Sequence, residues 1–149
     1  MMALHTEIVI GVKRLRPDAK LPTYAHIGHF GDLAADIYCA EDVVIPPGQN
    51  IPVATGIALE FPEGYGAIVE DRSGLALRGL TTLAGVVDPG YRGELRIVFS
   101  NLSNVAINLS KGDRVAQLRL VRLLQARFIE VDELSSTTRD TKGFGSTGQ

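Results

Sequence analysis

Short extended runs separated by tight turns constrain the fold of this chain more than any other sequence feature. Apolar residues alternate along residues 6–15, further extended runs are predicted at segments such as 65–70, 80–87, 94–101, 105–109 and 128–131, and amphipathic helical periodicity is scarce. Turn residues recur about every 8 to 12 residues, a spacing typical of an antiparallel sandwich or barrel. One short helix is expected at 73–78, with Ser73 as its N-cap and Gly79 as its end signal.

The length of 149 residues and the hydrophobic content of 45% suit one domain, which we expect over residues 1–132. Residues 133–149 are polar and unpatterned, so they are expected to form a flexible C-terminal arm. The formal net charge of −2 disfavours binding to a nucleic-acid polymer. A lone cysteine, Cys39, and the lack of a long apolar run or secretory leader predict a cytoplasmic protein that does not bind membranes.

The arm ends in a glycine-rich segment at residues 139–148, with the sequence RDTKGFGSTG. Its backbone amides, hydroxyls and cations can surround phosphate oxygens, and its aromatic ring can stack on a base. A Walker loop or dinucleotide fingerprint would need a strand before it and a helix after it, and neither is predicted here. The segment therefore suits a lid that closes over a phosphorylated ligand held elsewhere.

Two internal segments carry candidate chemistry. Arg72, Ser73 and Gly74 offer a guanidinium fork, a hydroxyl and free amides, which suit a phosphate, although an ordinary helix start beside a surface arginine is the commoner reading. Asp88 precedes a Pro-Gly turn and could orient and deprotonate a water, although such an aspartate is more often a plain turn residue. Tyr91 could pack on a sugar or base, or simply on the surface.

Two polar residues lie within apolar runs. Gln117 needs a structural or a ligand partner for its amide. Asp36 is either tied to an arginine or helps to hold a hydrated Mg²⁺ ion. His26 and His29 are spaced like zinc ligands, but the sequence offers nothing to complete four-coordination, so we assign them no metal.

Five segments in order, 35–38, 71–76, 85–94, 112–118 and 139–148, resemble the five motifs of the trimeric deoxyuridine triphosphatase (dUTPase) family. The resemblance implies a β-clip subunit, a distorted jelly-roll-like barrel, that assembles as a homotrimer with active sites at subunit boundaries. It also implies hydrolysis of dUTP to dUMP and pyrophosphate with Mg²⁺, which limits uracil incorporation into DNA and supplies dUMP for thymidylate synthesis.

The resemblance also implies a role for each motif residue. Asp88 would activate the water that attacks the α-phosphorus. The hairpin from Gly85 to Tyr91, which includes Val87, would read uracil through its backbone, and Tyr91 would pack on the deoxyribose. The phosphate chain would be bound by Arg72, Ser73, Gly74 and Gln117 and enclosed by Arg139, Gly145, Ser146 and Thr147, while Phe144 would stack on uracil. Asp36 would contact the metal through water.

Three positions depart from the family pattern, namely Ala34 and Lys142 where glycine is usual and Asp71 where proline is common. Two other functions stay open. A related dCTP deaminase, possibly bifunctional, would need a catalytic glutamate, and neither Glu70 nor Glu94 lies in a matching motif. A non-catalytic nucleotide-sensing module would have no need of a water-activating Asp88.

Overall fold

The computed structural model describes residues 7–145 and 148. Within them the chain is almost entirely β, with a single short helix. In chain order the elements are β1 (Gly11–Arg14), β2 (Ala35–Tyr38), β3 (Val43–Ile45), β4 (Asn50–Ala54), β5 (Ile57–Glu60), β6 (Tyr65–Asp71), α1 (Ser73–Leu77), β7 (Leu80–Leu83), β8 (Val86–Val87), β9 (Arg96–Asn101), β10 (Ile107–Leu109) and β11 (Arg114–Arg122).

Every strand pairing among the described residues is antiparallel. A four-stranded sheet has the order β2-β11-β6-β8, and a three-stranded sheet has the order β4-β9-β7. Two further pairs, β1 with β5 and β3 with β10, complete the body without closing it into a continuous barrel. The predicted all-β fold of the β-clip, distorted jelly-roll type is thereby confirmed.

In most strands the apolar residues place one face in a common core. In β10, for example, Ile107 and Leu109 are buried while Asn108 between them is exposed. The largest fully buried apolar side chains are Phe99, Ile37, Ile45, Ile57, Leu80, Ile97, Ile107, Val53 and Val115. This core holds the sheets together and presents their connecting loops at the surface.

Asn101 is a polar exception in this core, with none of its surface exposed. Its Nδ2 donates to the carbonyls of Ile45 and Val105, at 2.8 Å each, and its Oδ1 accepts from the amide and hydroxyl of Ser103. All four hydrogen-bonding positions of the amide are therefore used, which removes the penalty for burying it.

Two strand predictions differ from the structure. The expected run at 80–87 is split into β7 and β8, because Ala84 and Gly85 adopt positive φ values of 61° and 112° and turn the chain. The strand expected at 128–131 is wrong, since those described residues are exposed and form no strand. Phe128 is 92% exposed, so no partner strand or core within the described chain covers this apolar run.

The short helix is confirmed with one correction at its start. Arg72, in the extended conformation, is the N-cap in place of Ser73, and no side chain caps the helix. Gly79 follows the last turn with φ at 92°, as its role as an end signal requires. None of the helices in the described part of the chain is long and apolar enough to cross a membrane.

Candidate functional site

A cleft of about 270 Å³ lies beside the loop that connects β7, β8 and β9. Gly85, Val87, Asp88 and Tyr91 all line it, and the opposite wall comes mainly from β9 and the residues just before it. We call this the hairpin cleft. The cleft brings together four of the predicted site residues. It forms because β8 pairs with β6 and the chain then turns back to enter β9.

Backbone hydrogen bonds hold the hairpin cleft in shape. The Val69 amide donates to the Gly85 carbonyl at 2.7 Å, and the Tyr91 amide donates to the Asp88 carbonyl at 3.1 Å, closing the turn at the tip. The Tyr91 hydroxyl donates to the Glu94 carbonyl at 3.1 Å, which fixes the ring across the turn. The Asp88 side chain is left exposed at the mouth of the cleft, where water can reach it.

A second depression of about 530 Å³ lies at the start of α1. It is lined by Arg72, Gly74, Leu75 and Arg78 from the helix region and by Asn108, Leu109, Asp113 and Arg114 from β10, the turn that follows it and the start of β11. We call it the arginine groove. Three guanidinium groups beside the free amides of a helix start make it suited to an anionic chain.

Asp36 provides the counter-charge next to the arginine groove. Its carboxylate lies 3.3 Å from Nε of Arg72 and 3.5 Å from Nη1 of Arg114, and only 13% of its side chain is exposed. Arg72 also donates from Nη1 to the Arg114 carbonyl at 3.1 Å. Of the two roles left open by the sequence, the structure therefore shows the ion pair. The arrangement fixes the direction of the Arg72 guanidinium before any ligand arrives.

A magnesium ion fits this site only if the ligand brings most of the coordinating oxygens. Among residues 7–145 and 148, no three His, Cys, Asp or Glu side chains converge as a metal cage. Mg²⁺ in phosphate sites commonly keeps several waters and uses one or two carboxylates together with phosphate oxygens. Asp36 alone, acting through a water, is compatible with that pattern.

Gln117 lies on β11 between two acidic positions, opposite Asp36 on β2 and Glu70 on β6. Its Nε2 donates to the Asp71 carbonyl at 3.3 Å, and its side chain is half-buried. The structural partner predicted for this amide therefore exists, and the amide lies at the point where β6 leads into Arg72.

Within the described residues, Asp71 forms no ion pair with its neighbour Arg72. Its carboxylate instead accepts from the Thr81 hydroxyl and from the Thr82 amide, at 2.6 Å each. Burial alone would raise the pKa of Asp71, but these hydrogen bonds outweigh burial and lower it. The sequence identifies Asp71 only as a departure from the family pattern beside Arg72. No feature of the neighbouring sequence indicates that its side chain turns toward β7.

The described part of the arm lies away from both depressions. The Arg139 Nε donates to the Lys142 carbonyl at 2.9 Å, and the Phe144 ring is fully exposed. The hydrogen bonds of residues 133–145 and 148 join them only to one another. Ser146 and Thr147, which the sequence also assigns to the site, lie outside the described residues.

Within one chain, the predicted site residues are therefore divided between two separate depressions. Among residues 7–145 and 148, none lines both the hairpin cleft and the arginine groove. Asp88 and Tyr91 belong to the first, and Arg72 and Gly74 belong to the second, with Ser73 exposed beside Gly74 at the start of α1. A ligand that uses both sets needs surfaces that a single described chain does not place in one cavity.

Comparisons with known proteins agree on one family. A family model described as dUTPase matches residues 21–148. The deoxyuridine 5'-triphosphate nucleotidohydrolase of Thermobifida fusca is 49% identical over 143 residues, which cover 93% of this chain and 78% of the relative. The protein of the same name from Hydrogenobaculum sp. is 48% identical over 141 residues, covering 92% and 96% respectively.

Solved structures give the same result. A mutant dUTPase of Staphylococcus bacteriophage 80alpha, solved with dUpNHpp, has a TM-score of 0.83 at 28% identity, covering 95% of this chain and 99% of that one. A mutant dUTPase from phage phi11 of S. aureus has a TM-score of 0.75 at 26% identity, covering 86% and 99%, and is described as showing the coordination of a structural Mg(II) ion.

Proposed function

The chain belongs to the dUTPase family, and from that membership we propose how its residues hydrolyse dUTP to dUMP and pyrophosphate. The enzyme is a dUTP diphosphatase, a hydrolase of nucleotide metabolism. The observation that carries the assignment of residues is the hairpin cleft, which gathers Gly85, Val87, Asp88 and Tyr91 around one small cavity.

Asp88 is proposed as the general base. Its exposed carboxylate at the mouth of the cleft can accept a hydrogen bond from a water and take its proton as the water attacks. An oxygen–phosphorus bond forms at the α-phosphorus while the bond from that phosphorus to the α,β-bridging oxygen breaks. Pyrophosphate leaves with the bridging oxygen, and dUMP keeps the new one. No covalent enzyme intermediate is needed, because positioning and charge neutralisation supply most of the catalysis in phosphoryl transfer.

The hairpin cleft is proposed to select the nucleoside. At 270 Å³ it is small, and Gly85 and Val87 bring backbone close to its interior, which suits hydrogen bonding to a uracil edge and exclusion of a C5 methyl. Tyr91 is half exposed and fixed through Glu94, so its ring offers a flat face to the deoxyribose and crowds a 2'-hydroxyl.

The triphosphate is proposed to lie along the arginine groove. Arg72 and Gly74 of the groove supply a guanidinium and a backbone amide, and the exposed Ser73 between them supplies a hydroxyl. Gln117, whose Nε2 donates to the Asp71 carbonyl just before Arg72, adds an amide. The pairing of Asp36 with Arg72 and Arg114 orients the guanidinium groups in advance, so that little reorganisation accompanies binding.

Mg²⁺ is proposed to accompany the substrate. Asp36 would hold it through a water, and the ion would supply neutralisation of phosphate charge. The structural Mg(II) ion described for the phi11 phage dUTPase supports a metal in the family.

A homotrimer with shared sites is proposed from the division of the site. Because the hairpin cleft and the arginine groove share none of the residues that the structure describes, one subunit would supply the hairpin and a second the groove. The exposed arm, residues 133–149, would then add Arg139, Phe144, Gly145, Ser146 and Thr147 as a lid over the bound nucleotide. Light scattering should give about three times 16.0 kDa.

A cytoplasmic location is also proposed, since the buried, unpaired thiol of Cys39 suits a reducing compartment. Domain 1–132 with a separate arm at 133–149 is proposed as the functional division. The described residues of the arm are exposed apart from Gly143, which supports its separate role.

The deciding experiment measures pyrophosphate release from dUTP, dTTP, dCTP and UTP with Mg²⁺ present, together with ammonia release from dCTP. We expect rapid pyrophosphate release from dUTP alone. Ammonia release from dCTP at a comparable rate would instead establish a deaminase. Tight dUTP binding without any turnover would establish a nucleotide-sensing module.

A further inference from the structure

The corner that carries the phosphate-binding residues is weakly anchored by its own helix. α1 has five residues, buries none of them and has no side-chain cap. Apart from Leu75, which is partly buried against the core, packing therefore does little to set the position of the backbone from Arg72 to Gly74. The Asp36 ion pair and the Arg114 carbonyl orient the Arg72 guanidinium, but a further contact is needed to hold the backbone from which that side chain extends.

Asp71 makes this contact with both its carboxylate and its backbone carbonyl. Its two carboxylate oxygens accept from the Thr81 hydroxyl and the Thr82 amide on β7, at 2.6 Å each. Its carbonyl accepts from Nε2 of Gln117 on β11, at 3.3 Å. The Asp71 side chain thus joins the end of β6 to β7, and its carbonyl adds a side-chain contact to β11, with which its backbone already pairs opposite Ala116.

β7, the strand that the Asp71 carboxylate contacts, is held more firmly than this corner. All four residues of β7 pair with β9, from Leu80 opposite Asn101 to Leu83 opposite Val98, and Leu80 is fully buried. Since β9 holds β7 and the Asp71 backbone stays paired opposite Ala116, loss of the carboxylate contact should loosen the corner after Asp71 and leave both strands in place.

A proline, the residue common at this position in the family, cannot make these side-chain bonds, and an alanine cannot either. Without the carboxylate, the Thr82 amide and the Thr81 hydroxyl lose their acceptor. The lowered pKa of Asp71 agrees with a carboxylate that is charged at neutral pH and fully engaged.

We propose that Asp71 is a positioning residue of this enzyme: its carboxylate fixes the β6–α1 corner to Thr81 and Thr82, and so sets Arg72 and Gln117 for the triphosphate. The inference rests on the proposed function, because it assigns the triphosphate to Arg72 and Gln117. It adds a residue that acts through them without contacting the substrate.

The experiment compares Asp71→Ala, Thr81→Val and Thr81→Ser with the wild-type enzyme. Each protein is assayed for kcat and KM with dUTP and for binding of dUpNHpp and of deoxyuridine, which carries no phosphate. We expect Asp71→Ala to lower kcat/KM at least about tenfold and to weaken dUpNHpp binding by a similar factor. Deoxyuridine binding should change less than about twofold, because the hairpin cleft keeps its own hydrogen bonds.

The two Thr81 variants serve as the matched control. Thr81→Val removes the hydroxyl but keeps the shape, so it should show a smaller loss in the same direction, and Thr81→Ser should restore wild-type values. If Asp71→Ala fails to fold, this pair decides the question alone.

Three results would overturn the proposal. The first is wild-type kinetics in a folded Asp71→Ala enzyme. The second is equal weakening of dUpNHpp and deoxyuridine binding, and the third is equal behaviour of the valine and serine variants. Failure of the proposed function would look different, since the wild-type enzyme itself would then release no pyrophosphate from dUTP.

Discussion

The Gly85 carbonyl accepts a 2.7 Å hydrogen bond from the Val69 amide, and a Cβ on residue 85 would lie only 2.7 Å from the Val69 carbonyl oxygen. The loop that forms the hairpin cleft is thus docked on β6 backbone to backbone. The φ of 112° at Gly85 adds a second reason for glycine at this position. Both constraints act on the residue that stands at the entrance to the proposed uracil site.

Gly85→Ala should therefore destabilise the protein and damage the site. The new Cβ must push the loop away from Val69, and an alanine at positive φ costs about 1–3 kcal/mol before that clash is counted. Denaturant unfolding should show this loss of unfolding free energy, and KM for dUTP should rise.

Gly90→Ala is the matched control, because a Cβ on this glycine of the same hairpin meets nothing within 4 Å. We expect its stability to stay within about 0.5 kcal/mol of wild type. Equal stability of the two alanine variants would contradict the close docking of Gly85 on Val69.

Asp88→Asn should separate binding from turnover. An amide cannot take a proton from the attacking water, so kcat should fall by at least about a hundredfold. Affinity for dUpNHpp should stay near the wild-type value, because the side chain is nearly isosteric. Glu63→Gln, which neutralises an exposed carboxylate in another turn, should leave both quantities unchanged. Unchanged turnover in Asp88→Asn would remove Asp88 from the mechanism.

Deletion of residues 139–149 should abolish most activity without unfolding the protein. The described residues in this segment are exposed or nearly so, and their hydrogen bonds are local, so they add little to the core. Thermal unfolding and light scattering should match those of the full chain, while kcat/KM for dUTP collapses. A truncated protein that precipitates or dissociates would show that this segment is structural.

The stabilising effect of Asp71 should depend on pH in a defined direction. Its pKa is lowered in the folded protein, so the stabilisation is present above the unfolded value of about 4 and disappears as pH falls through the lower folded value. The difference in unfolding free energy between wild type and Asp71→Asn should therefore favour the wild type more at pH 7 than at pH 3. Urea unfolding of both proteins at pH 7 and pH 3 measures this difference in unfolding free energy. An equal difference at the two pH values would refute the stabilising role of the charged Asp71 carboxylate.

Local patterns were sufficient for most of the strands and for the helix end. Alternating residues such as Ile107 and Leu109 gave the core face of β10, and Gly79 ended α1, because burial with period two and a positive φ are properties of a few neighbouring residues. The apolar run at 128–131 misled the same reasoning, because a strand also needs a partner, and the described chain provides none there.

The sequence alone also determined the family and the candidate residues, since five motifs in order are a linear property. Only the tertiary structure decided how those residues meet. It paired Asp36 with Arg72 and Arg114 and turned Asp71 toward Thr81, across separations that no local pattern encodes. It also placed the hairpin cleft and the arginine groove apart on one chain. Strand register and long-range packing set these contacts, and both arise only when distant segments share one core.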